Sequence, residues 1–313
     1  MTDPIYVIGS GAIGTFLAER FTRFAPTFLV VRDESPSAPD GGVELHGAIE
    51  DPLHPIPIRR WRQITRFEPR SLILVTSKVF DLPALLGSMR PRLSGSETVV
   101  LCQNGLGVSE LAHATLPEVK SWGRAVCWFG VRIDHQPADH RSILHVAGID
   151  AMEFAFTEAA AAARFGALVS QAGIPPRPVS TIELVEWRKA LWNISSNGLC
   201  ALAEAANGEA AQNELLRPLA DQLFEEAAAV ARAKGVALTP EVREMCFAGM
   251  VRTATNLNST LMDLRAGRTT EVNWLNGAVV QWADELGLPC PANRMVTNLI
   301  RYLEKTKTRK ASR

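Results

Sequence analysis

A lysine and two asparagines recur at the spacing of a single helix face. Lys189, Asn193 and Asn197 lie four residues apart, so a helix would align their side chains in one stripe. Apolar residues flank the stripe, which favours a partly buried cleft over open solvent. Desolvation lowers the pKa of a lysine towards neutrality, and a lysine among amides is therefore a candidate acid or base. The alternative is a hydrated helix face, which is the commoner role for such residues.

A second polar segment covers residues 256–276 and contains Ser259 and Glu271. Glu271 follows Thr269 and Thr270, either of which could cap a helix that has Glu271 in its first turn. A carboxylate in that position interacts favourably with the helix dipole and needs no catalytic role. The residues alone leave the catalytic and the capping interpretations of Glu271 open.

The N-terminus carries a complete GxGxxG pattern, Gly9-Ser10-Gly11-Ala12-Ile13-Gly14. The pattern follows an apolar run typical of a buried strand and precedes an amphipathic segment, which is the context that dinucleotide binding requires. The first glycine permits a tight turn, the second lets the backbone approach a pyrophosphate, and the third lets helix and strand pack closely. The N–H groups at the helix N-terminus can then bind phosphate. This context predicts a dinucleotide-binding turn rather than an ordinary glycine-rich connection.

The residues after the second predicted strand bear on the choice between NAD and NADP. An acidic residue there would hydrogen-bond the ribose 2′-hydroxyl of NAD, whereas an arginine can hold the 2′-phosphate of NADP. Arg32 directly follows the strand, and Asp33 and Glu34 come next. Arg32 favours NADP (NADPH) as the cofactor. Either acid could instead be of the NAD type, with Arg32 a solvated loop residue.

Two further loops follow predicted strands, where the ligands of open α/β sheets gather. One loop contains Lys78, and the other contains Asn104, which forms a turn dipeptide with Gly105. A surface lysine and a turn without a ligand are the competing interpretations.

Short apolar runs and helical segments alternate through the first half of the chain, as in a doubly wound α/β sheet. The prolines of 175–178 precede an Ala/Leu/Glu-rich remainder with helical periodicity. The predicted fold class is therefore α/β, with a Rossmann-type NADP-binding domain over residues 1–178 and an all-helical substrate and catalytic domain over residues 179–313. Strands are predicted at 5–8, 28–31, 72–76 and 98–102, and helices at 12–24, 181–204, 215–234, 241–256 and 271–286.

Composition excludes several classes of function. Lysine plus arginine and aspartate plus glutamate both number 33, so the formal net charge is zero and provides no general field for nucleic acid or an anionic membrane. No apolar run is long enough to cross a bilayer, and no signal peptide is recognisable. Five widely spaced cysteines without a CxxC pair predict reduced, mostly buried thiols in a cytoplasmic protein. No metal site is predicted.

Taken in order, these motifs resemble the ketopantoate reductase (2-dehydropantoate 2-reductase) family. The resemblance extends from the glycine turn to about residue 300 and includes VTSKVFD, QNGLG, WRKALWN, NSTLMD and RTTEVNWLNG. It implies that Lys189 is the general acid for the substrate carbonyl and that Glu271 hydrogen-bonds around the substrate hydroxyl. The other implied site residues are Asn193, Asn197 and Ser259 for substrate, Asn104 and Lys78 for nicotinamide and substrate, and Arg32 for the 2′-phosphate.

The reaction implied by the resemblance is hydride transfer from NADPH to C2 of ketopantoate, which gives pantoate for pantothenate biosynthesis. The implied partner is a small 2-oxo acid, and a homodimer is left open. The segment from Gly123 to Asp150 matches the family only loosely, so a different 2-oxo acid is an alternative substrate. A nicotinamide-binding sensor without turnover is a further alternative, which the presence of both Lys189 and Glu271 disfavours.

Overall fold

The computed structural model describes residues 3–35, 38–136 and 139–311, with side chains up to Thr306. The chain forms two compact units. The first unit extends to Gln103 and resumes from Val108 to Ile182, and the second consists of Asn104–Gly107 and the chain from Glu183 onward. A four-residue segment within the sequence of the first unit thus belongs structurally to the second.

The first unit contains both strands and helices, with single turns of 3-10 helix at Trp61–Gln63, Val79–Asp81 and Arg90–Arg92. Its elements in chain order are β1 (Ile5–Ile8), α1 (Ala12–Thr22), β2 (Thr27–Val31), β3 (Val43–Gly47), β4 (Asp51–His54), β5 (Ile58–Arg60), β6 (Leu72–Val75), α2 (Leu82–Met89), β7 (Thr98–Leu101), α3 (Val108–Thr115), β8 (Ser121–Gln136), β9 (Arg141–Phe156), α4 (Ala159–Gln171) and β10 (Pro176–Pro178).

All of these strands belong to one sheet, in the order β4-β3-β9-β8-β7-β6-β1-β2-β5, with β10 beside β9. The strands from β8 to β5 in this order pair in parallel. β9 returns antiparallel to β8 in a long hairpin, and β3 and β4 extend the sheet beyond it. The sheet is therefore mixed, because the hairpin adds antiparallel pairing to a set of parallel strands.

Successive residues of the parallel strands face opposite sides of the sheet. Ile5 and Val7 on β1 belong to one apolar cluster with Phe16 of α1 and Phe165 of α4. Tyr6, between the two strand residues, lies outside that cluster and is nevertheless buried. Burial on both faces explains why the parallel strands are continuous apolar runs in the sequence.

The second unit is built from helices around its own core. Residues buried together in this core come from each of its helices and include Ile194, Phe224, Met250, Val279 and Ile300. The helices are α5 (Ile182–Ala203), α6 (Glu209–Gln212), α7 (Arg217–Ala233), α8 (Glu241–Arg252), α9 (Ser259–Arg265), α10 (Asn276–Leu286) and α11 (Pro291–Ala311), with a 3-10 turn at Val272–Trp274.

The predicted fold class, an α/β sheet domain followed by an all-helical domain, is confirmed. One predicted helix is divided: instead of a helix over 271–286, a 3-10 turn ends before Leu275, and α10 starts at Asn276. The reason is local, because Leu275 has φ −116° and ψ −102°, outside the helical region. Gly287 ends α10 in the left-handed conformation with φ 68°, as expected for a helix-terminating glycine.

The cysteines are free thiols, and three of them are buried. Burial raises the pKa of Cys200 to about 11 and those of Cys246 and Cys290 to about 12. These thiols are consequently protonated and poorly nucleophilic at neutral pH.

The residues that the structure describes include no helix that is long and apolar enough to cross a membrane. They also include no group of three or more histidine, cysteine, aspartate or glutamate side chains that could hold a metal ion.

Candidate active site

The glycine turn joins β1 to α1 in the first unit. Gly9 has a φ of +123°, which glycine adopts without strain, and a Cβ there would lie 2.9 Å from the amide nitrogen of Ser77. A Cβ at Gly14 would overlap the carbonyl oxygen of Gly9 and the hydroxyl of Thr76. The first and third glycines are therefore required by the packing of the turn against the residues that follow β6.

Gly11 has a different role, because the described residues beyond its immediate chain neighbours place no atom within 4 Å of the position its Cβ would take. Gly11 is the N-cap residue of α1, makes no side-chain cap, and precedes a first turn without acidic residues. Ser10, Ala12 and Ile13 around it are partly exposed. The amide N–H groups at the start of α1 can thus receive an anionic ligand, and the open space at Gly11 fits a closely approaching pyrophosphate.

Two buried side-chain oxygens lie just after neighbouring strands and have no hydrogen-bond partner among the described residues. They are Ser77 Oγ after β6 and Gln103 Oε1 after β7. The other end of the Gln103 amide is held, since its Nε2 donates to the carbonyl oxygen of Val75 at 2.8 Å. Buried polar atoms are normally paired, so these two oxygens fit the polar groups of a nicotinamide nucleotide.

Arg124 on β8 helps to fix this edge of the sheet. Its guanidinium donates to the carbonyl oxygens of Leu101 at 3.0 Å and Gln103 at 2.8 Å. Sequence reasoning singled out neither Gln103 nor Arg124. Gln103 adjoins the predicted Asn104, but Arg124 lies in the loosely matching segment, and only the pairing of β7 with β8 reveals its role.

The residues predicted to distinguish the cofactor lie at the end of β2. Arg32 is exposed, and no hydrogen bond or ion pair joins its side chain to the described residues. Asp33 Oδ1 accepts a hydrogen bond from the backbone N–H of Arg62 at 2.9 Å. Lys78, after β6, is half-buried and precedes the 3-10 turn Val79–Asp81.

The second unit contains the other predicted site residues, including Asn104. The N–H of Leu106 donates to the carbonyl oxygen of Trp274 at 2.9 Å. Gly105 has a φ of +108°, and a Cβ there would lie 3.0 Å from that of Trp274. This packing brings Asn104 Nδ2 to 3.5 Å from Glu271 Oε2, although the two residues are 167 positions apart in the chain.

The predicted stripe of Lys189, Asn193 and Asn197 lies on α5, as the spacing indicated. Asn193 and Asn197 are only 8% and 6% exposed, which contradicts the alternative of a hydrated helix face. Lys189 is half-buried, with its Nζ 5.2 Å from the centre of the Trp192 ring, a distance at which the ring stabilises the cation. Because asparagine is a poor helix former, two buried asparagines on one helix point to a polar binding surface.

Glu271 and Ser259 occupy the ends of short helical turns. Glu271 is 6% exposed and precedes the 3-10 turn Val272–Trp274. Glu271 is the N-cap residue of this turn and makes no side-chain cap, and the N–H of Val272 donates instead to Thr270 Oγ1 at 3.2 Å. Ser259 is exposed at the start of α9, and no described hydrogen bond joins it to Asn104 or Glu271.

The glycine turn, the sheet and the helical unit with its buried amides define a nicotinamide-dependent oxidoreductase. Residues 5–155 match the family described as ketopantoate reductase PanE/ApbA, and residues 181–304 match its C-terminal domain, ketopantoate reductase PanE/ApbA C terminal. The chain belongs to the ketopantoate reductase family, which confirms the resemblance read from the motifs.

Among curated relatives, the 2-dehydropantoate 2-reductase of Streptococcus pyogenes serotype M3 is 25% identical over 309 residues, covering 96% of this chain and 97% of the relative. A PanE/ApbA family ketopantoate reductase from Ralstonia eutropha JMP134 has a similar structure, with a TM-score of 0.85, 23% identity, and coverage of 98% of this chain and 100% of that one.

Two further solved structures share the fold. D-mandelate dehydrogenase, solved with NADH and anilino(oxo)acetate, gives a TM-score of 0.84 at 20% identity and covers 98% of this chain and 100% of its own. A dimeric ketopantoate reductase from Staphylococcus aureus gives 0.77 at 20% identity and covers 97% and 99%.

Proposed function

We propose that the protein is an NADPH-dependent 2-dehydropantoate 2-reductase that converts ketopantoate into pantoate. The observation that carries this proposal is the contact between Asn104 and Glu271 in the same unit as the lysine and buried asparagines of α5. Together these residues provide an acid, a carboxylate acceptor and several amide groups, which is the set that a 2-oxo acid requires. Family membership supports the assignment.

Lys189 is the proposed general acid. NADPH, when bound, supplies the hydride. As C2 of the substrate is reduced, negative charge develops on its carbonyl oxygen, and the Lys189 ammonium donates the proton that completes the hydroxyl. The Trp192 ring, with its centre 5.2 Å from Nζ, attracts the ammonium group electrostatically.

Glu271 and the asparagines are proposed to orient the substrate. The Glu271 carboxylate, turned towards Asn104 through Oε2, accepts a hydrogen bond from the C2 hydroxyl as it forms. Asn193 and Asn197 donate amide hydrogens to the substrate oxygens, and Ser259 adds a hydroxyl. Burial of the amides strengthens these hydrogen bonds, because water competes less for them.

The first unit is proposed to bind the cofactor. The N–H groups after Gly11 hold the pyrophosphate, and Arg32 holds the 2′-phosphate. Lys78 and Asn104 are proposed to position the nicotinamide and the substrate. The open space at Gly11 and the oxygens of Ser77 and Gln103 without partners among the described residues support this assignment.

A turnover assay tests the proposal directly. Purified protein is mixed with ketopantoate and either NADPH or NADH, and the loss of the nicotinamide absorbance band is followed. We expect the highest kcat/KM with ketopantoate and NADPH. A panel of branched and aromatic 2-oxo acids runs in parallel, because D-mandelate dehydrogenase shares the fold. A better aromatic substrate would replace ketopantoate, and cofactor binding without turnover on any 2-oxo acid would reject an enzymatic role.

We further propose that the protein forms a homodimer. A structural neighbour from S. aureus is dimeric, and the described part of α11 presents three large, exposed apolar side chains. Met295, Leu299 and Tyr302 are 52%, 43% and 64% exposed and recur at helical spacing on one face. A second copy of the chain is the proposed partner of this stripe.

A further inference from the structure

The loop after β2 is fastened to the end of β5, the neighbouring edge strand. β2 and β5 run parallel, with Val31 opposite Arg60, so the residues that follow both strands lie at the same edge of the sheet. The Arg60 guanidinium donates to the carbonyl oxygen of Ser35 at 3.2 Å and to Asp40 Oδ2 at 2.9 Å. Arg60 therefore holds the loop in place, and these hydrogen bonds occupy its guanidinium.

Asp33 makes a second attachment between the same two segments. Its Oδ1 accepts from the backbone N–H of Arg62 at 2.9 Å and lies 4.0 Å from Nε of the same residue. A carboxylate that selects NAD must have its oxygens available to the ribose hydroxyls. Asp33 instead uses one oxygen to hold the 3-10 turn that contains Arg62.

These attachments leave two guanidinium groups exposed at one corner of the sheet. Arg32 precedes Asp33 and has no partner among the described side chains. The Arg62 side chain is 76% exposed, and its contact with Asp33 is an ion pair at 4.0 Å, too long for a hydrogen bond. The N–H donors of both guanidiniums thus remain available for a phosphate, which can accept two parallel hydrogen bonds from one arginine.

We propose that Arg62 acts together with Arg32 as a binding residue for the 2′-phosphate of NADPH, and that Asp33 is the positioning residue that holds Arg62 in place. This inference rests on the proposed NADPH dependence and extends it to a second arginine, supplied by the segment after β5. The Oδ1 acceptor of Asp33 then serves selectivity for NADP by holding the segment that carries Arg62, although the place of Asp33 in the sequence is that of an NAD-type acid.

The test uses a pair of ligands that differ only in the 2′-phosphate, adenosine 2′,5′-bisphosphate and adenosine 5′-monophosphate. Their Kd values are measured by calorimetry for the intact protein. We expect the wild type to prefer the bisphosphate, and Arg32→Ala and Arg62→Ala each to reduce that preference roughly 3- to 10-fold, the range of an exposed charge-assisted hydrogen bond. Affinity for the monophosphate should stay constant in both variants.

Arg66→Ala is the matched control, since it removes an exposed arginine close by in the chain and should leave the preference unchanged. Asp33→Ala should reduce the preference, whereas Asp33→Asn, which retains the acceptor for the Arg62 N–H, should preserve it. A wild type without preference for the bisphosphate would reject the proposed NADPH dependence itself. A wild-type preference that survives Arg62→Ala in a folded protein would overturn the role of Arg62 alone, and a loss of monophosphate affinity in Asp33→Ala would identify Asp33 as an NAD-type acid.

Discussion

Lys189 is the residue on which the proposed chemistry depends most directly. Replacing it with alanine removes the proton donor, and we expect kcat to fall by roughly 10²- to 10⁴-fold, the usual contribution of a general acid. Replacing it with arginine retains a positive charge that cannot be released near neutral pH. Lys189→Arg should therefore keep much of the substrate affinity and still lose kcat. Steady-state kcat and KM with ketopantoate and NADPH measure both effects.

Lys234 provides the control for Lys189. It is also a lysine of the second unit placed over a tryptophan, with Nζ 4.1 Å from the centre of the Trp282 ring. Lys234→Ala removes the same charge and the same kind of ring contact, and should leave kcat within about twofold, because it lies outside the proposed site. Equal losses in the two alanine variants would show that the effect of Lys189 is structural.

Glu97 illustrates how a single buried carboxylate couples stability to pH. It is 3% exposed before β7 and accepts hydrogen bonds from the N–H and Oγ of Ser94 and from the N–H of Gly95. Burial by itself raises the pKa of Glu97, but these hydrogen bonds outweigh it, and the net effect is a lowered pKa. The carboxylate therefore stabilises the fold above the unfolded glutamate pKa of about 4.3, and this contribution is lost as the pH falls through the folded value.

Glu97→Gln tests this coupling. The variant should unfold with about 1–2 kcal/mol less stability at pH 7, from weaker hydrogen bonds to a neutral acceptor. The difference from wild type should shrink as the pH falls below the unfolded glutamate pKa of about 4.3 and through the lowered pKa of the native carboxylate. Denaturant titrations at pH 7 and across the acidic range measure it. Glu118→Gln is the control, since the exposed Glu118 carboxylate forms a surface ion pair with Arg90 and its replacement should change stability little. A difference that is constant with pH would contradict the assignment.

At the scale of elements, the glycine turn separates residues needed for folding from residues needed for binding. Gly14→Ala puts a methyl group against the Gly9 carbonyl and the Thr76 hydroxyl, so α1 must move away from β6. We expect a loss of roughly 1–3 kcal/mol in the free energy of unfolding. Gly11→Ala meets open space and has an ordinary φ of −73°, so its stability should match that of the wild type. Thermal unfolding distinguishes the two variants.

Gly11→Ala, although as stable as the wild type, should bind the cofactor more weakly. The methyl group of Gly11→Ala occupies the space through which a pyrophosphate approaches the backbone, so we expect its NADPH affinity to fall at least tenfold. Nucleotide fluorescence measures this Kd. Gly87→Ala, at an exposed glycine of α2 with open space around it and an ordinary φ, controls for the substitution itself. Wild-type NADPH affinity in Gly11→Ala would exclude the proposed approach of the pyrophosphate.

The elements differ in how well the sequence predicts them. Strands such as β1, buried on both faces, are continuous apolar runs and were predicted to within a residue. The hairpin of β8 and β9 was not predicted, because its two long strands mix exposed and buried residues. Their pairing depends on contacts between distant residues, which local patterns do not encode.

The features of the candidate site also differ in how far the sequence predicts them. The stripe on α5 follows from a four-residue spacing, and the glycine turn follows from local backbone requirements. The approach of Asn104 to Glu271 depends on the packing of Leu106 and Gly105 against Trp274. The part played by Arg62 depends on the parallel pairing of β5 with β2. Both features depend on contacts between residues that are distant in the sequence. The sequence therefore indicates the residue types, and the fold determines which residues lie beside them.

For the whole molecule, the two family matches over residues 5–155 and 181–304 correspond to the sheet unit and the helical unit. The exception is Asn104–Gly107, which lies in the first match and belongs structurally to the second unit. A separately expressed helical unit would therefore lack Asn104, and with it the partner of Glu271. Experiments on the proposed site accordingly require the full chain.

The proposed homodimer is tested through the exposed stripe on α11. The chain has a mass of 34.1 kDa, so light scattering coupled to size exclusion should give about 68 kDa for the wild type. Leu299→Glu places a charge at the centre of the stripe without disfavouring the helix, and a charge buried without a partner at an apolar interface is costly. We expect this variant to elute as a monomer with an unchanged circular dichroism spectrum. Leu215→Glu, at a leucine 74% exposed outside the stripe, should remain dimeric. A Leu299→Glu protein that keeps the dimer mass, or a wild type that is monomeric at micromolar concentration, would show that α11 does not mediate self-association.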